Sequence, residues 1–289
     1  MRRSLVAFGC AMVVIGGLGA PELRSDDVPF LRGDVNGDGV VSLSDAVMSR
    51  RFLFLGEPLN CRDAADADDS GDVDISDPIR ILRTLLAGDP PPPAPFPTIG
   101  ADPTPDSLAC AYDLTPAEET DDLIRIGEVV AGPGDDIEIP VYVTTTSQGV
   151  EAFQVVLRYD PEIVTIESRL GGNFSTISLD GTFYDDFVSA PVYATRAYAN
   201  EDAVLIAFIP SLLESGYELP SGEEHLVMKI RGKVSDTASS GTTIALELYN
   251  GEGGAGVGEF SAKNELTATG SARLVSVIPK TINGVLEIV

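Results

Sequence analysis

The sequence predicts a multidomain chain in which a small all-α domain precedes an all-β sandwich of jelly-roll type. Three observations carry this. A twelve-residue loop rich in Asp and Gly occurs twice, 32 positions apart, as Asp34–Asp45 (DVNGDGVVSLSD) and Asp66–Asp77 (DADDSGDVDISD), each followed by a helical pattern. A proline-rich stretch, DPPPPAPFPTIGADPTP, then fills Asp89–Pro105. From about Asp121 to the end, apolar and polar residues alternate in short runs broken by Gly, Asn, Asp and Pro, the period of half-buried antiparallel strands.

The two loops have the spacing that a calcium ion requires. Ca2+ takes six to eight oxygens, and a twelve-residue loop presents them from positions 1, 3, 5, 7, 9 and 12, with Gly at 6 for the sharp turn. In the first loop those positions are Asp34, Asn36, Asp38, Val40 through its carbonyl, Ser42 and Asp45, with Gly39 at the turn. In the second they are Asp66, Asp68, Ser70, Asp72 through its carbonyl, Asp74 and Asp77, with Gly71 at the turn. Position 12 is Asp rather than Glu in both, one methylene shorter, so each loop must close more tightly. Two ions are expected.

The repeat runs past the ligands. The same offset pairs Val41 with Val73, Ser44 with Ser76, Val47 with Ile79, Arg51 with Arg83, Leu53 with Leu85 and Gly56 with Gly88. Each unit is therefore one loop and one helix. Ser44-Asp45 and Ser76-Asp77-Pro78 are helix starts, and Gly56 and Gly88 are stops. Val47, Phe52, Leu53 and Phe54 give the first helix an apolar face, and Ile79, Leu82, Leu85 and Leu86 give one to the second. Val28–Gly33 leaves no room for a helix entering the first loop, so these are not ordinary helix–loop–helix hands.

A tandem loop-then-helix repeat with Asp at position 12 resembles the type I dockerin module of extracellular cellulosome-like assemblies, over about Gly33–Gly88. The resemblance implies that loop positions 10 and 11, with basic residues along the helix, contact a cohesin partner. Here these are Leu43, Ser44, Arg50 and Arg51 in the first copy, and Ile75, Ser76 and Arg83 in the second; Leu82 stands where the family has a further basic residue. For Leu43 and Ile75 a second reading stands beside this one: they pair across the loops or pack in the core.

Met1-Arg2-Arg3, an apolar run over Leu5–Leu18 and small residues up to Ala20 have the layout of a secretory signal peptide. Its removal would leave Cys61 and Cys110, which should pair in an oxidising compartment. The formal charge of −26 would become −28, because residues 1–20 hold Arg2 and Arg3 and no acid. A chain so acidic repels nucleic acid and anionic membranes. The organisation expected is a signal at 1–20, the calcium repeat at 28–88, a proline-rich linker with Cys110 at 89–120, and the sandwich at 121–289. Consecutive prolines favour an extended, semi-rigid spacer, although a disulfide to Cys110 would fold part of it back.

In the sandwich Ile137, Ile139, Val141 and Val143 alternate with Asp136, Glu138, Pro140 and Tyr142. Phe153, Val155, Leu157 and Tyr159 alternate with Ala152, Gln154, Val156 and Arg158, and similar runs cover Leu226–Arg231 and Ile244–Tyr249. The order Ile126–Val130, Gly132-Pro133-Gly134-Asp135, Ile137–Val143, Gly149–Gln154, Leu157–Pro161 and the closing Asn283–Ile288 resembles a cohesin module. Gly251–Gly258 and Ser168–Tyr184 read as irregular loops.

Catalytic chemistry finds little footing. His225 is the single histidine and heads a strand, and there is no phosphate-binding glycine loop or nucleophile elbow. The acid pairs Asp185/Asp186 and Glu223/Glu224 are adjacent, so on a strand they point to opposite faces, whereas a glycosidase needs two carboxyls across a cleft. The expected function is a secreted, non-catalytic, calcium-dependent adaptor of dockerin–cohesin type, with partners on other secreted proteins or in a second copy of the chain. The alternative is a carbohydrate-binding protein whose sandwich grips glycan while the calcium module tethers it. The chain lacks tryptophan, leaving Tyr142, Tyr193, Tyr198, Tyr217 and Tyr249 for sugar stacking.

Overall fold

The computed structural model describes residues 28–289 apart from 105, 147–148, 167–175, 187–191, 198–201, 211–215, 251–262 and 270–273. The signal segment expected at residues 1–20 and the Gly251–Gly258 loop lie outside the described residues, as does the first part of Ser168–Tyr184.

Each calcium-type loop feeds a helix at the expected place. α1 (Leu43–Leu55) opens with Ser42, whose hydroxyl accepts from the Ser44 amide while the Asp45 carboxylate accepts from the Ser42 amide, a reciprocal capping box. A single turn, α2 (Arg62–Ala65), leads into the second loop. α3 (Ser76–Leu82) follows it and continues as a π turn over Arg83–Ala87. Gly56 and Gly88 end the two helices in the left-handed conformation. The apolar faces are only partly covered. Val47, Leu85 and Leu86 are buried, whereas Phe54 and Ile79 are each 46% exposed.

The proline-rich stretch departs from the free spacer its composition suggests. It lies along the helical module, because the Phe30 amide and carbonyl pair with Gly100 at 3.0 Å and the Arg32 amide donates to the Pro95 carbonyl at 2.8 Å. Arg32, buried to 1% exposure, pins this wrap from inside. Its guanidinium donates to the carbonyls of Ala94 (2.9 Å) and Asp66 (2.8 Å) and pairs with Asp69 (2.9 Å) and Asp102 (2.8 Å). Cys61 and Cys110 are disulfide-bonded, and beyond them the Tyr112 hydroxyl donates to Asp34. The Thr115 amide donates to the Gly37 carbonyl at 2.6 Å. The chain therefore leaves the helical module only three residues before the sandwich begins.

The sandwich comprises, among the described residues, β1 (Glu118–Ile126), β2 (Val129–Ala131), β3 (Asp136–Thr144), β4 (Val150–Arg158), β5 (Val164–Thr165), β6 (Ile177–Ser178), β7 (Val192–Ala197), β8 (Ala203–Ile209), β9 (Glu224–Val234), β10 (Thr243–Leu248), β11 (Glu265–Thr269), β12 (Leu274–Ile282) and β13 (Gly284–Ile288). Hydrogen bonding runs β2-β13-β10-β4-β11-β12-β1-β3-β9-β5, with β8 also on β4, β7 on β8 and β6 on β9. Pairing is antiparallel except for β1 with β12 and β13 with β2, which are parallel. The alternation predicted for β3 holds: Ile137, Ile139, Val141 and Val143 point into the core. Phe153 and Phe208 stack there at 4.9 Å between ring centres. The described part of Ser168–Tyr184 is turns and bends around the two-residue strand β6, as an irregular loop would be, and it buries Tyr184 fully.

β4 and β8 are buried on both faces. Phe153, Val155 and Leu157 of β4, with Val204, Ile206 and Phe208 of β8, enter the sandwich core. The residues between them, Ala152 and Val156, with Leu205, Ala207 and Ile209, join a second core with Leu43, Ala46, Val47 and Met48 of α1. The helical module is thus packed against the outer face of the sheet.

The disulfide closes a loop with a sequence separation of 49 residues that contains the second calcium-type loop, α3 and the wrap. Replacing both cysteines by alanine is expected to lower stability by about 4 kcal/mol, from the loop entropy restored to the unfolded chain. Guanidinium unfolding of the wild type and the double variant measures it, and unchanged midpoints would contradict it.

Candidate functional site

The second loop gathers its carboxylates as a cation requires. Ligand oxygens of Asp66, Asp68 and Asp77 lie within 4.8 Å of one another. Asp66 Oδ2 accepts from the Gly71 amide at 2.7 Å and Oδ1 from the Ser70 amide at 2.9 Å. Asp77 Oδ2 accepts from the Asp74 amide at 2.7 Å, while Ser76 Oγ donates to Asp68 Oδ2 at 2.7 Å. Asp68 Oδ1 is buried without a hydrogen-bond partner. A buried carboxylate oxygen left bare beside two other carboxylates is costly unless a cation meets it, so these residues fit Ca2+. Ser70 Oγ donates to the Asp72 carbonyl at 3.2 Å, which places both at the mouth of the loop.

The first loop has the same backbone frame with a tighter hydrogen-bond net. Asp34 accepts from the amides of Gly37, Asp38 and Gly39 at 2.8–3.0 Å. Asp45 accepts from Val35 and Asn36 through Oδ1 and from Ser42 through Oδ2. Asp38 Oδ1 accepts from the Val40 amide at 2.9 Å. Asp34, Asp38 and Asp45 do not form a carboxylate group as close as that of the second loop. Ser42, expected at the ninth ligand position, turns its hydroxyl to Glu265 of β11 at 2.9 Å. Both loops turn at glycines with φ of +90° and +87°, at Gly39 and Gly71, a conformation that a side chain would strain.

Gathering carboxylates raises their proton affinity. Burial, with Asp38 nearby, pushes the Asp34 carboxyl up to about 6, and burial pushes Asp77 up to about 7. Asp45, fully enclosed, is held well above the ordinary range by burial and by its neighbours Asp34 and Asp38. Asp74, fully exposed, is held below the ordinary range by hydrogen bonds from Ser76.

The residues predicted to touch a partner divide by repeat. Those of the first copy are buried against the sandwich. Leu43 is 1% exposed in the second core. Ser44 Oγ donates to Glu265, lies 3.0 Å from Thr267 Oγ1, and accepts from Ser276 Oγ at 2.9 Å. Arg50 pairs with Glu151 of β4 at 3.4 Å, and Arg51 pairs with the same carboxylate and with Glu57. Asn36 Nδ2 donates to Ser276 at 3.0 Å. In the second copy Ile75 is 49% exposed, and Arg83 pairs with Asp89 at the start of the proline-rich stretch, at 2.6 Å. Leu43 thus packs in the core, as the second reading had it, whereas Ile75 does not. Glu151, Glu265, Thr267 and Ser276 were not foreseen. The signal available for them was polar residues at outward positions of strands otherwise rich in apolar ones.

Comparison with known proteins names the helical module. Residues 32–86 match the family model of the dockerin type I domain. This segment is a type I dockerin module. Such domains bind calcium. No curated protein matches the chain. Among solved structures it is similar to the seventh ScaB type I cohesin of Pseudobacteroides cellulosolvens (15% identity, 58% of this chain, 92% of that one, TM-score 0.39). It is also similar to the third ScaC cohesin in complex with the ScaB dockerin from Acetivibrio cellulolyticus (16%, 58%, 99%, 0.40). A third is a non-cellulosomal cohesin from the archaeon Archaeoglobus fulgidus (17%, 59%, 92%, 0.35).

Outside the dockerin module, His225 packs against Phe183 at 4.9 Å and its buried Nε2 has no hydrogen-bond partner. Glu224 is tied to Arg125 at 2.6 Å and Asp185 accepts from the Gly181 amide. No helix among the described residues is long and apolar enough to cross a membrane.

Calcium binds deprotonated carboxylates. For Asp34 and Asp77 the folded value lies above the ordinary 3.8. Their protons therefore stabilise the ion-free fold fully below about pH 4, and that contribution is lost as pH rises through about 6 and 7. The ion-free dockerin module should weaken between pH 4 and 7 while the contribution of calcium grows. Calorimetric titration should show weaker calcium binding at pH 5 than at pH 7.5. Equal affinity at both would contradict the ligand assignment.

Proposed function

We propose that this chain is a secreted, non-catalytic adaptor that makes calcium-dependent protein–protein contacts, with two Ca2+ ions folding its dockerin module. Its partners are cohesin-type modules on other secreted proteins, in assemblies that degrade extracellular polysaccharide. The observation that carries this reading is the exposed second repeat. Ile75, Ser76, Ile79 and Arg83 occupy the same repeat positions as Leu43, Ser44, Val47 and Arg51, which are seated on a β-sheet in this structure, yet Ile75 and Ile79 stand 49% and 46% exposed. A surface with the same apolar and polar pattern therefore faces outward. Calcium acts by replacing the repulsion among Asp66, Asp68 and Asp77 with coordination, which holds α3 at a fixed angle to its loop.

The alternative of glycan binding is less well supported. The ring of Tyr142 has the Arg125 guanidinium over one face at 4.0 Å and that of Tyr249 has Arg158 at 3.7 Å, so each has one stacking face taken, and Tyr217 packs against the sandwich core; Tyr198 and the side chain of Tyr193 lie outside the described residues.

The test is surface capture of the full chain by immobilised cohesin-type modules in calcium and in chelator. Capture is expected in calcium only. Asp66→Ala should abolish it, and Ile79→Asp should weaken it by about tenfold or more, since docking would bury an apolar side chain worth roughly 1.5–3 kcal/mol. Capture that persists in chelator, or that Asp66→Ala leaves intact, would refute the reading.

A further inference from the structure

We propose that the protein latches itself: its first repeat, docked on the outer face of β4, β11 and β12, masks within one molecule a surface on which a dockerin module of another chain would otherwise sit. The inference rests on the adaptor reading for what the masked face would bind, and on the geometry of the seam for the latch itself.

The seam is built like a specific interface. Its centre is apolar, with Leu43 and Val47 in one buried cluster with Val156, Leu205 and Ile209. Beside it lies a buried polar group in which Glu265 receives the hydroxyls of Ser42 and Ser44, while Ser276 links to Asn36 and Ser44. At one edge Glu151, 8% exposed, is held by Arg50 and Arg51. Lifting the dockerin module would bare the apolar outer face of β8 and leave the Glu265 carboxylate without two of its hydroxyl donors. A sheet exposing that surface would be an interaction site.

The tether makes the contact intramolecular. Thr115 is hydrogen-bonded to Gly37 of the first loop, and β1, which pairs with β12 of the seam, begins at Glu118. Three residues reach at most about 10 Å. So short a link sets an effective concentration on the order of 1 mM. A competing dockerin module at about 1 µM is therefore outmatched by roughly a thousandfold. The latched chain presents only its second repeat, and the sandwich becomes a receptor when the latch is broken.

The experiment uses full chains in calcium. A Ser44→Asp/Arg51→Glu variant sets carboxylates against Glu265 and Glu151 and should open the latch from the dockerin side. A Glu151→Arg chain, opened from the sandwich side with an intact first repeat, serves as the probe; Glu151→Gln, which adds no bulk, serves as a second probe should the arginine disturb folding. The wild type should be a compact monomer by light scattering and small-angle scattering, with a radius of gyration of about 19 Å. The opened variant should be larger and should form a one-to-one complex with the probe, and the wild type should bind the probe more weakly by the ratio of the effective concentration to the dissociation constant of that complex, about a thousandfold for a constant of about 1 µM. An opened variant as compact as the wild type, equal capture of the probe by both chains, no capture by the opened variant, or a wild type that is itself an exchanged dimer would each overturn the proposal. Loss of capture by foreign cohesin-type modules would refute the adaptor reading while leaving the compactness of the wild type and its opening by charge reversal unchanged, so the two failures are distinguishable.

Discussion

The outer face of β4 and β8 must be covered, and the arrangement of the two modules follows from that. A strand with one wet face alternates, but Ala203–Ile209 is apolar at every position and buried along its whole length. The sandwich core satisfies only Val204, Ile206 and Phe208. Burying an aliphatic side chain contributes roughly 1.5–3 kcal/mol, so Leu205 and Ile209 need a second apolar layer. Both repeats supply it: α1 lies on β4, β11 and β12, the π turn after α3 lies on β7, and Ile81, Leu85 and Leu86 join the same apolar cluster, while Ile75 and Ile79 stay exposed. The polar seam then sets the register. Glu265 is enclosed and its proton affinity is raised by burial and restrained by hydrogen bonds from Ser44 and Ser42. A carboxylate in that position tolerates only a partner that brings donors, and the first turn of α1 brings two.

The same requirement explains why the dockerin module has an internal brace. Its loops concentrate carboxylates, and Asp63, Asp102 and Asp106 add another close group beside them. Burial and the nearby Asp106 and Asp102 push Asp63 up to about 7. Arg32 is the counterweight, reaching Asp69 and Asp102 with one guanidinium while closing the proline-rich wrap onto the loops. Removal of one partner from a buried pair of this kind costs about 3–5 kcal/mol. Arg32 therefore ties the second loop to the wrap, the wrap carries Cys110 and Tyr112, and Tyr112 returns to Asp34 of the first loop. The two loops are coupled through a segment that contains none of the expected ligands.

Much of this was legible from residues alone. The loop spacing, the offset of 32, the helix stops at Gly56 and Gly88, the cysteine pair and the inward positions of β3 and β4 all followed from local rules, because each depends on geometry within a few residues or on one period. What local rules missed was long-range. Proline fixes φ but does not decide whether an extended segment runs free, and Arg32, 62 residues from Ala94 in sequence, turned a spacer into a strap. β8 escaped the alternation rule because it has no dry-and-wet alternation to detect. Its continuous apolar run was the available sign of a strand covered on both faces. Ser42 was assigned to the ion by its loop position, yet the same residue caps α1 and faces the sheet, a conflict that no single-module pattern contains.

The duplicated loop and helix give one sequence motif two fates. Leu43 and Ile75 are equivalent in the repeat, as are Ser44 and Ser76, Val47 and Ile79, and Arg51 and Arg83. Intrinsic preference cannot separate the members of each pair; the sheet does. The first copy meets a surface whose carboxylates, Glu151 and Glu265, match its arginines and hydroxyls. The second copy turns inward what it has: Ser76 bonds to Asp68, and Arg83 to Asp89. In this chain one copy holds the module on the sheet while Ile75 and Ile79 of the other face outward, and a tandem repeat supplies both arrangements without either copy changing its loop.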